Sequence, residues 1–203
     1  MKVALIGASG NIGSQILSEL RARGHDVTAI ARNPEKIAVG PGVKPVRADV
    51  GDADALASAL RGHDAVISSV RFRNFDPQTL LTAVKASGVK RLIMVGGAGS
   101  LEARPGVQLV DTPDFPAAAK PEALAGRNAL NLLRAEAALD WTFLSPSAVI
   151  APGERTGKFR LGKDEVLTGP DGKSRISIPD YAIALVDELE HPGHVRQRFT
   201  VGY

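Results

Sequence analysis

The chain of 203 residues is long enough for one domain with a substantial core, and 44% of its residues are hydrophobic. Its net charge is 25 − 22 = +3 with Lys and Arg scattered along the chain, which excludes a basic tract for nucleic acid and leaves room for a basic pocket facing an anionic ligand. The absence of cysteine excludes a disulfide framework and a thiolate metal site, no run is long enough for a membrane helix, and the N-terminus enters a strand without a signal segment, so a cytoplasmic protein with no metal site is expected.

The run Val3–Ile6 is apolar without alternation, as in a strand covered on both faces. Gly7, Gly10 and Gly13 follow at once. Asn11 to Arg23 then reads as a helix, with Ile12, Ile16, Leu17 and Leu20 on one stripe and Gly24 as its stop. Strand, glycine turn and helix in this order make an anion cradle. Gly7 permits the turn, Gly10 lets the backbone approach a diphosphate, and Gly13 allows close helix packing. The diphosphate contacts are expected from Gly7, Ser9, Gly10, Asn11, Ile12 and Gly13. Asp26 to Ala31 is a second strand with Arg32 at its carboxyl end. An acidic residue there would bind the 2′-hydroxyl of NAD and an arginine the 2′-phosphate of NADP, so NADP is the expected cofactor; the alternative for Arg32 is a solvated surface arginine.

Asn33-Pro34 reads as a cap and first turn of a short helix ending near Gly40. Val43 to Val50 holds the third strand, ending at Asp49 and Val50, and Asp52 to Leu60 is a helix. Asp64 to Val70 is the fourth strand, whose end, with Ser69 and Val70, shares an edge with Gly7 and Arg32. The loop Arg71-Phe72-Arg73-Asn74-Phe75 either faces a ligand or is simply exposed. A helix from Pro77 to Ser87 stops at Gly88, and Lys90 to Val95 is the fifth strand. The small residues Gly96, Gly97, Ala98, Gly99 and Ser100 at its end point to a ligand pressed on the backbone, the nicotinamide end of the cofactor.

Leu101 to Pro121 is a proline-broken loop, Glu122 to Ala138 a helix, and Trp141 to Ile150 the sixth strand, with Pro146, Ser147, Ala148 and Val149 near the active end of the cofactor. From 151 to 178 short alternating runs and the hairpin signal Asp171-Gly172 predict a small lid-like excursion within a single domain, 1–203. Pro179 to Glu190 is a last helix and His194 to Val201 an edge strand. His25, His63, His191 and His194 all fall at the amino edge of the sheet, away from the cofactor.

With these residues in place the chain resembles the atypical short-chain dehydrogenase group, in particular the compact NADP-binding proteins related to biliverdin-IXβ reductase (flavin reductase) and the NmrA-type redox regulators. The resemblance rests on GASGNIG, Arg32, Asp49-Val50, GGAGS, SPSAV and RISIPDYA, and spans essentially the whole chain. It implies an α/β doubly wound parallel sheet (Rossmann) with NADP across its carboxyl edge. It further implies that Asp49 and Val50 contact the adenine, and that Pro146 to Val149 flank the nicotinamide.

Carbonyl-reducing members of that group use a Tyr-x-x-x-Lys pair. Lys120 stands where the lysine belongs, but Pro116 occupies the tyrosine position. Lys120 either binds the nicotinamide ribose or is an ordinary exposed lysine. Ser100, Lys120, Ser147 and Tyr181 are the remaining candidates for catalysis. Reducing a planar acceptor needs mainly that it stack near the nicotinamide, because solvent can supply the proton. The expected function is therefore NADPH-dependent hydride transfer to a flavin, quinone or tetrapyrrole-like acceptor. The alternative is a non-enzymatic NADP sensor with a protein partner. Neither nucleic acid nor membrane is expected as a partner, and the chain is expected to be a monomer or a homodimer.

Overall fold

The computed structural model describes residues 1–203. In chain order the strands and helices are β1 (Lys2–Ile6), α1 (Asn11–Ala22), β2 (Asp26–Ala31), β3 (Val43–Arg47), α2 (Ala53–Leu60), β4 (Ala65–Ser68), α3 (Pro77–Ser87) and β5 (Arg91–Val95). They continue with β6 (Glu102–Arg104), β7 (Val107–Gln108), α4 (Lys120–Arg134), β8 (Asp140–Pro146), β9 (Val149–Ala151), β10 (Arg160–Gly162), β11 (Arg175–Ser177), α5 (Ile178–Glu190) and β12 (Gln197–Gly202). The main sheet has eight strands in the order β10-β12-β8-β5-β4-β1-β2-β3, all parallel except β10.

The doubly wound architecture follows from the unalternated apolar runs. Val3 and Leu5 of β1 belong to one core with Ile16, Leu17 and Leu20 of α1 and Leu185 and Leu189 of α5. Ala4 and Ile6 belong to the other, with Leu56 of α2, Leu80 of α3 and Leu130 of α4. Each strand thus presents alternate side chains to two helical layers, and both faces stay dry. The helix boundaries have local causes. The Asp52 carboxylate accepts from the Ala55 amide (3.0 Å), the Asp76 carboxylate accepts from the Gln78 amide (3.0 Å), and Gly88 ends α3 with φ 83°.

Several expectations are corrected. Pro34–Lys36 forms a single 3-10 turn, with no side-chain cap from Asn33, because Pro41 and Gly42 (φ 72°) follow too soon for a helix. Strand β3 ends at Arg47, before Asp49, whose carboxylate accepts from the Gly51 amide (2.9 Å) in a turn. Residues 101–111 are ordered as the β6–β7 hairpin and a 3-10 turn at Leu109–Asp111. Helix α4 ends at Arg134. Glu136 then makes the turn into β8, its carboxylate accepting from the Ala138 amide (2.6 Å) and its carbonyl from Trp141 Nε1 (3.2 Å). β12 is not an edge, because β10 pairs on its outer side. Asp171-Gly172 makes a turn, with Gly172 N donating to Gly169 O (3.0 Å), but no hairpin: β11 pairs parallel with β9.

The 151–178 segment is stitched to the fold chiefly through Asp180. This carboxylate is fully buried in the first turn of α5 and accepts from Thr156 N (2.8 Å), Gly157 N (2.9 Å), Thr156 Oγ1 (2.5 Å) and Tyr203 Oη (2.8 Å). Burial works to raise its pKa, but the hydrogen bonds from Thr156, Gly157 and Tyr203 outweigh it and hold the carboxyl below its usual value. A depressed folded-state pKa contributes stability that is present above the unfolded value and lost as pH falls through the folded one. Asp180→Asn, which replaces one acceptor oxygen with an amide donor facing these donors, is expected to cost roughly 2 kcal/mol at pH 7. The difference from wild type in denaturant midpoint should shrink as pH is lowered toward 3; a pH-independent difference would show that ionisation of Asp180 contributes nothing.

Candidate functional site

The winding of the sheet reverses between β1 and β4, and a crevice opens there beyond the carboxyl ends. Gly7 (φ 84°) closes the turn after β1. A Cβ at Gly7 would lie 2.3 Å from the Ser69 carbonyl oxygen, and one at Gly13 would lie 2.1 Å from the Gly7 carbonyl oxygen. Both glycines are therefore required by the packing of β1, α1 and the β4 turn on one another. Gly10 differs. Its Cβ would meet only the Gly7 carbonyl oxygen, at 3.4 Å, and the residue is exposed, so its open side is a cradle that a side chain would fill.

Helix α1 begins immediately after Gly10, with no side-chain cap and no acidic residue in its first turn. Its first amides have no intrahelical acceptor, and with the helix dipole they offer an anion site between exposed Ser9 and Asn11 and half-buried Ile12. At the end of β4, Ser68 Oγ is buried without a hydrogen-bond partner. The donor set thus fits a diphosphate with no protein counter-charge in the way. Arg32, at the carboxyl end of β2, is exposed and engages no carboxylate; Arg47 on the adjacent β3 pairs with Glu35 at 3.5 Å. Asp49 is exposed and Val50 buried in the turn after β3, on the same edge, and Ser69 and Val70 are half-buried beside Gly7.

The other end of the crevice differs from the expectation. Gly96 and Gly99 are small because protein presses on them: a Cβ would lie 2.4 Å from Phe143 Cε1 and 2.6 Å from Ala123 Cβ respectively. Only Gly97 keeps an open side, with the Phe72 ring 3.9 Å away. Phe72 itself is buried and stacks on Phe143 with ring centroids 5.9 Å apart, so the aromatic residues of the 71–75 loop are anchors rather than a ligand platform. The loop is fixed to α4 by Glu122, which accepts from the amides of Phe72 (2.7 Å) and Arg73 (3.2 Å).

Tyr181 is corrected as a catalytic candidate. It lies fully buried in α5, its hydroxyl donates to the Leu144 carbonyl (2.7 Å), and burial raises its pKa well above that of an ordinary phenol. Its role is to hold the end of β8, where the Gly96 amide also donates to Leu144 O (2.8 Å). Ser147 is buried and donates to the Val201 carbonyl (2.9 Å), while Ser100 is buried with Oγ 3.4 Å from Arg198 Nη1. Lys120 opens α4 and is exposed, without a carboxylate partner. Pro146 is buried at the end of β8, and Ala148 and Val149 are exposed beyond it. Sequence reasoning missed Arg198, a buried arginine whose signal, one charge in the final strand, is faint. It joins Ser100 and Ser145 (3.4 Å to each hydroxyl) to Asp164, with Nε donating to Asp164 Oδ1 at 2.7 Å.

Crevice, glycine cradle and helix N-terminus define the class: a dinucleotide-binding α/β protein with the cofactor edge at the carboxyl ends of a doubly wound sheet. The chain belongs to the NAD(P)H-binding family, matched over residues 7–192. It is 41% identical to the uncharacterized protein YwnB of Bacillus subtilis, over 99% of this chain and 98% of that one. Among solved structures it is similar to a Bacteroides thetaiotaomicron protein with the provisional description of an epimerase (44% identity, TM-score 0.95, covering 100% of this chain and 96% of that one). It is also similar to a Streptococcus pneumoniae protein with the provisional description of an NADH-flavin reductase (37% identity, TM-score 0.85, covering 100% and 99%). No helix is long and apolar enough to cross a membrane.

Two glycine substitutions separate fold from binding. Gly10→Val is expected to leave the thermal midpoint within about 3 °C of wild type while weakening NADPH binding by about 100-fold or more. Gly13→Ala should instead lower stability by several kcal/mol, of the order of about 3, because the helix must move off the turn. Calorimetry of unfolding and of cofactor binding checks both, and retained NADPH affinity in Gly10→Val would remove the diphosphate assignment.

Proposed function

We propose that the protein is an NADPH-dependent reductase of planar acceptors such as flavins and quinones, working without a dedicated protein acid. The carrying observation is that the hydroxyls nearest the acceptor end are buried and engaged: Tyr181 on Leu144 O, Ser147 on Val201 O, and Ser100 beside Arg198. A carbonyl reductase must protonate the nascent alkoxide from a positioned group, and none is held ready here. A planar conjugated acceptor takes its proton from solvent, so positioning alone suffices for it. When bound, NADPH supplies the hydride. The residues of this chain hold it in place, through the open cradle at Gly10, the first amides of α1, and Arg32 at the 2′-phosphate. Gly97, Pro146, Ala148 and Val149 line the acceptor end. The likeness to a protein described as an NADH-flavin reductase supports this acceptor class, and a cytoplasmic location, where NADPH is available, belongs to the same reading.

The test is NADPH oxidation by the purified protein with a panel of flavins and quinones. Turnover is expected with at least one, and tight NADPH binding without any turnover would overturn the reductase reading. Ser147→Ala should keep its rate within about threefold of wild type, since its hydroxyl is not the proton source; a loss of the roughly 100-fold that general acid catalysis supplies would reverse that assignment. Arg32→Asp should lower the preference for NADPH over NADH by at least about tenfold, because it removes a charge-assisted partner of the 2′-phosphate. Equal loss of affinity for both cofactors would show that Arg32 does not reach the phosphate.

A further inference from the structure

An open cleft of about 460 Å³ lies between the loop after β4 and the start of α4, lined by Arg71, Arg73, Asn74, Ala118, Ala119 and Glu122. It borders the acceptor end through Phe72, whose ring lies next to the open side of Gly97. Its charge is unbalanced. Arg71 and Arg73 are exposed and pair with no carboxylate; other arginines, among them Arg32, Arg61 and Arg104, are also unpaired, but these two stand two positions apart and both line this cleft. The cleft's one acid, Glu122, has its two oxygens turned to the Phe72 and Arg73 amides, and Lys120, also unpaired, follows Ala119 directly. Two free guanidiniums thus stand at one cleft, with a lysine beside it. Their backbone is nevertheless fixed, because Phe72 is buried between them and Glu122 grips the loop.

Resting on the reductase reading, we infer that this cleft holds the anionic tail of the acceptor, a phosphomonoester gripped by Arg71 and Arg73, while the planar part reaches the acceptor end at Gly97. A planar fork of guanidinium donors matches a phosphate bidentately, and a dianion answers two cations where a neutral tail leaves them solvated. The methyl groups of Ala118 and Ala119 leave the cleft wide enough for a tail without offering it a competing polar partner.

The probes are FMN and riboflavin, which share one ring system and differ by the phosphate. Each is titrated into the purified protein with NADP present and followed by flavin fluorescence quenching. FMN is expected to bind at least tenfold more tightly than riboflavin. In the Arg71→Ala/Arg73→Ala double variant that ratio should fall to near one, and raised salt should weaken FMN far more than riboflavin. Equal binding of the two flavins by the wild-type protein, or binding of neither, overturns the inference. A variant that loses NADPH affinity by the same factor as FMN affinity also overturns it, since the arginines would then serve the cofactor. FMN binding of the expected strength with no NADPH oxidation would sink the reductase reading while the anion site stands. Circular dichroism confirms that the double variant folds; should it not, Arg73→Gln alone must still lower the FMN to riboflavin ratio severalfold, and an unchanged ratio overturns the inference.

Discussion

Helix α1 approaches the end of β1 so closely that a Cβ on Gly13 would lie 2.1 Å from the Gly7 carbonyl oxygen, and the β4 turn leaves no more room over Gly7. Three segments therefore meet without side chains between them. The consequence is geometric: the amino end of α1 is held at the mouth of the gap between β1 and β4, where the sheet reverses its winding, and its first amides face into that gap. A helix set even one side chain further out would still bury Ile16, Leu17 and Leu20. It would no longer place backbone donors within reach of a diphosphate lying along the edge.

The opposite end of the edge is assembled from distant parts of the chain, and its order comes from polar groups buried with their partners. Tyr181 and the Gly96 amide both use the Leu144 carbonyl, which ties α5 and the loop after β5 to the end of β8. Asp180, three residues on from the Ser177 cap that accepts from its amide, gathers the 156–157 turn and the terminal Tyr203. Arg198 performs the same task from β12 toward Ser100, Ser145 and Asp164, and the amide of Glu102 donates to Asp164 O (2.7 Å), so the β6–β7 hairpin and the 160–168 stretch are tied to each other. Asp164 is half exposed, so this pair contributes less than a fully buried one would. Its value is positional.

The parallel sheet, the first cradle and most helix ends were legible because each rests on local chemistry: continuous apolar strands, the glycines after β1, Asp76-Pro77 at the start of α3, Gly88 as a left-handed stop. What was not legible depends on contacts distant in sequence. The small residues at 96–99 read as room for a ligand, yet at Gly96 and Gly99 the room is filled by Phe143 and Ala123, and only Gly97 faces an open side. The same limit applies to Tyr181, whose position near the start of the last helix says nothing of the Leu144 carbonyl above it. The final strand read as an edge because its closing partner, β10, is a three-residue strand with no alternation long enough to detect. The proline-broken stretch 101–121 concealed a hairpin, since Gly106 with φ 75° supplies a turn that pattern alone does not distinguish from a loop.

The acceptor end has a consistent chemical character once these corrections are combined. A phenol that serves as a catalytic acid is exposed to substrate and has a lowered pKa; Tyr181 is walled off and shifted the other way. Ser147 and Ser100 spend their hydroxyls on the scaffold. The groups left facing outward are Gly97, Ala148 and Val149, which contact without reacting, and the cations Arg71, Arg73 and Lys120, which attract negative charge. On the proposed reading, such an edge would select an acceptor by shape and charge and leave the proton to solvent. Tyr181, Ser147 and Ser100 instead tie β8, the β8–β9 turn and the loop after β5 to α5 and β12, and the same contacts keep their hydroxyls turned into the fold.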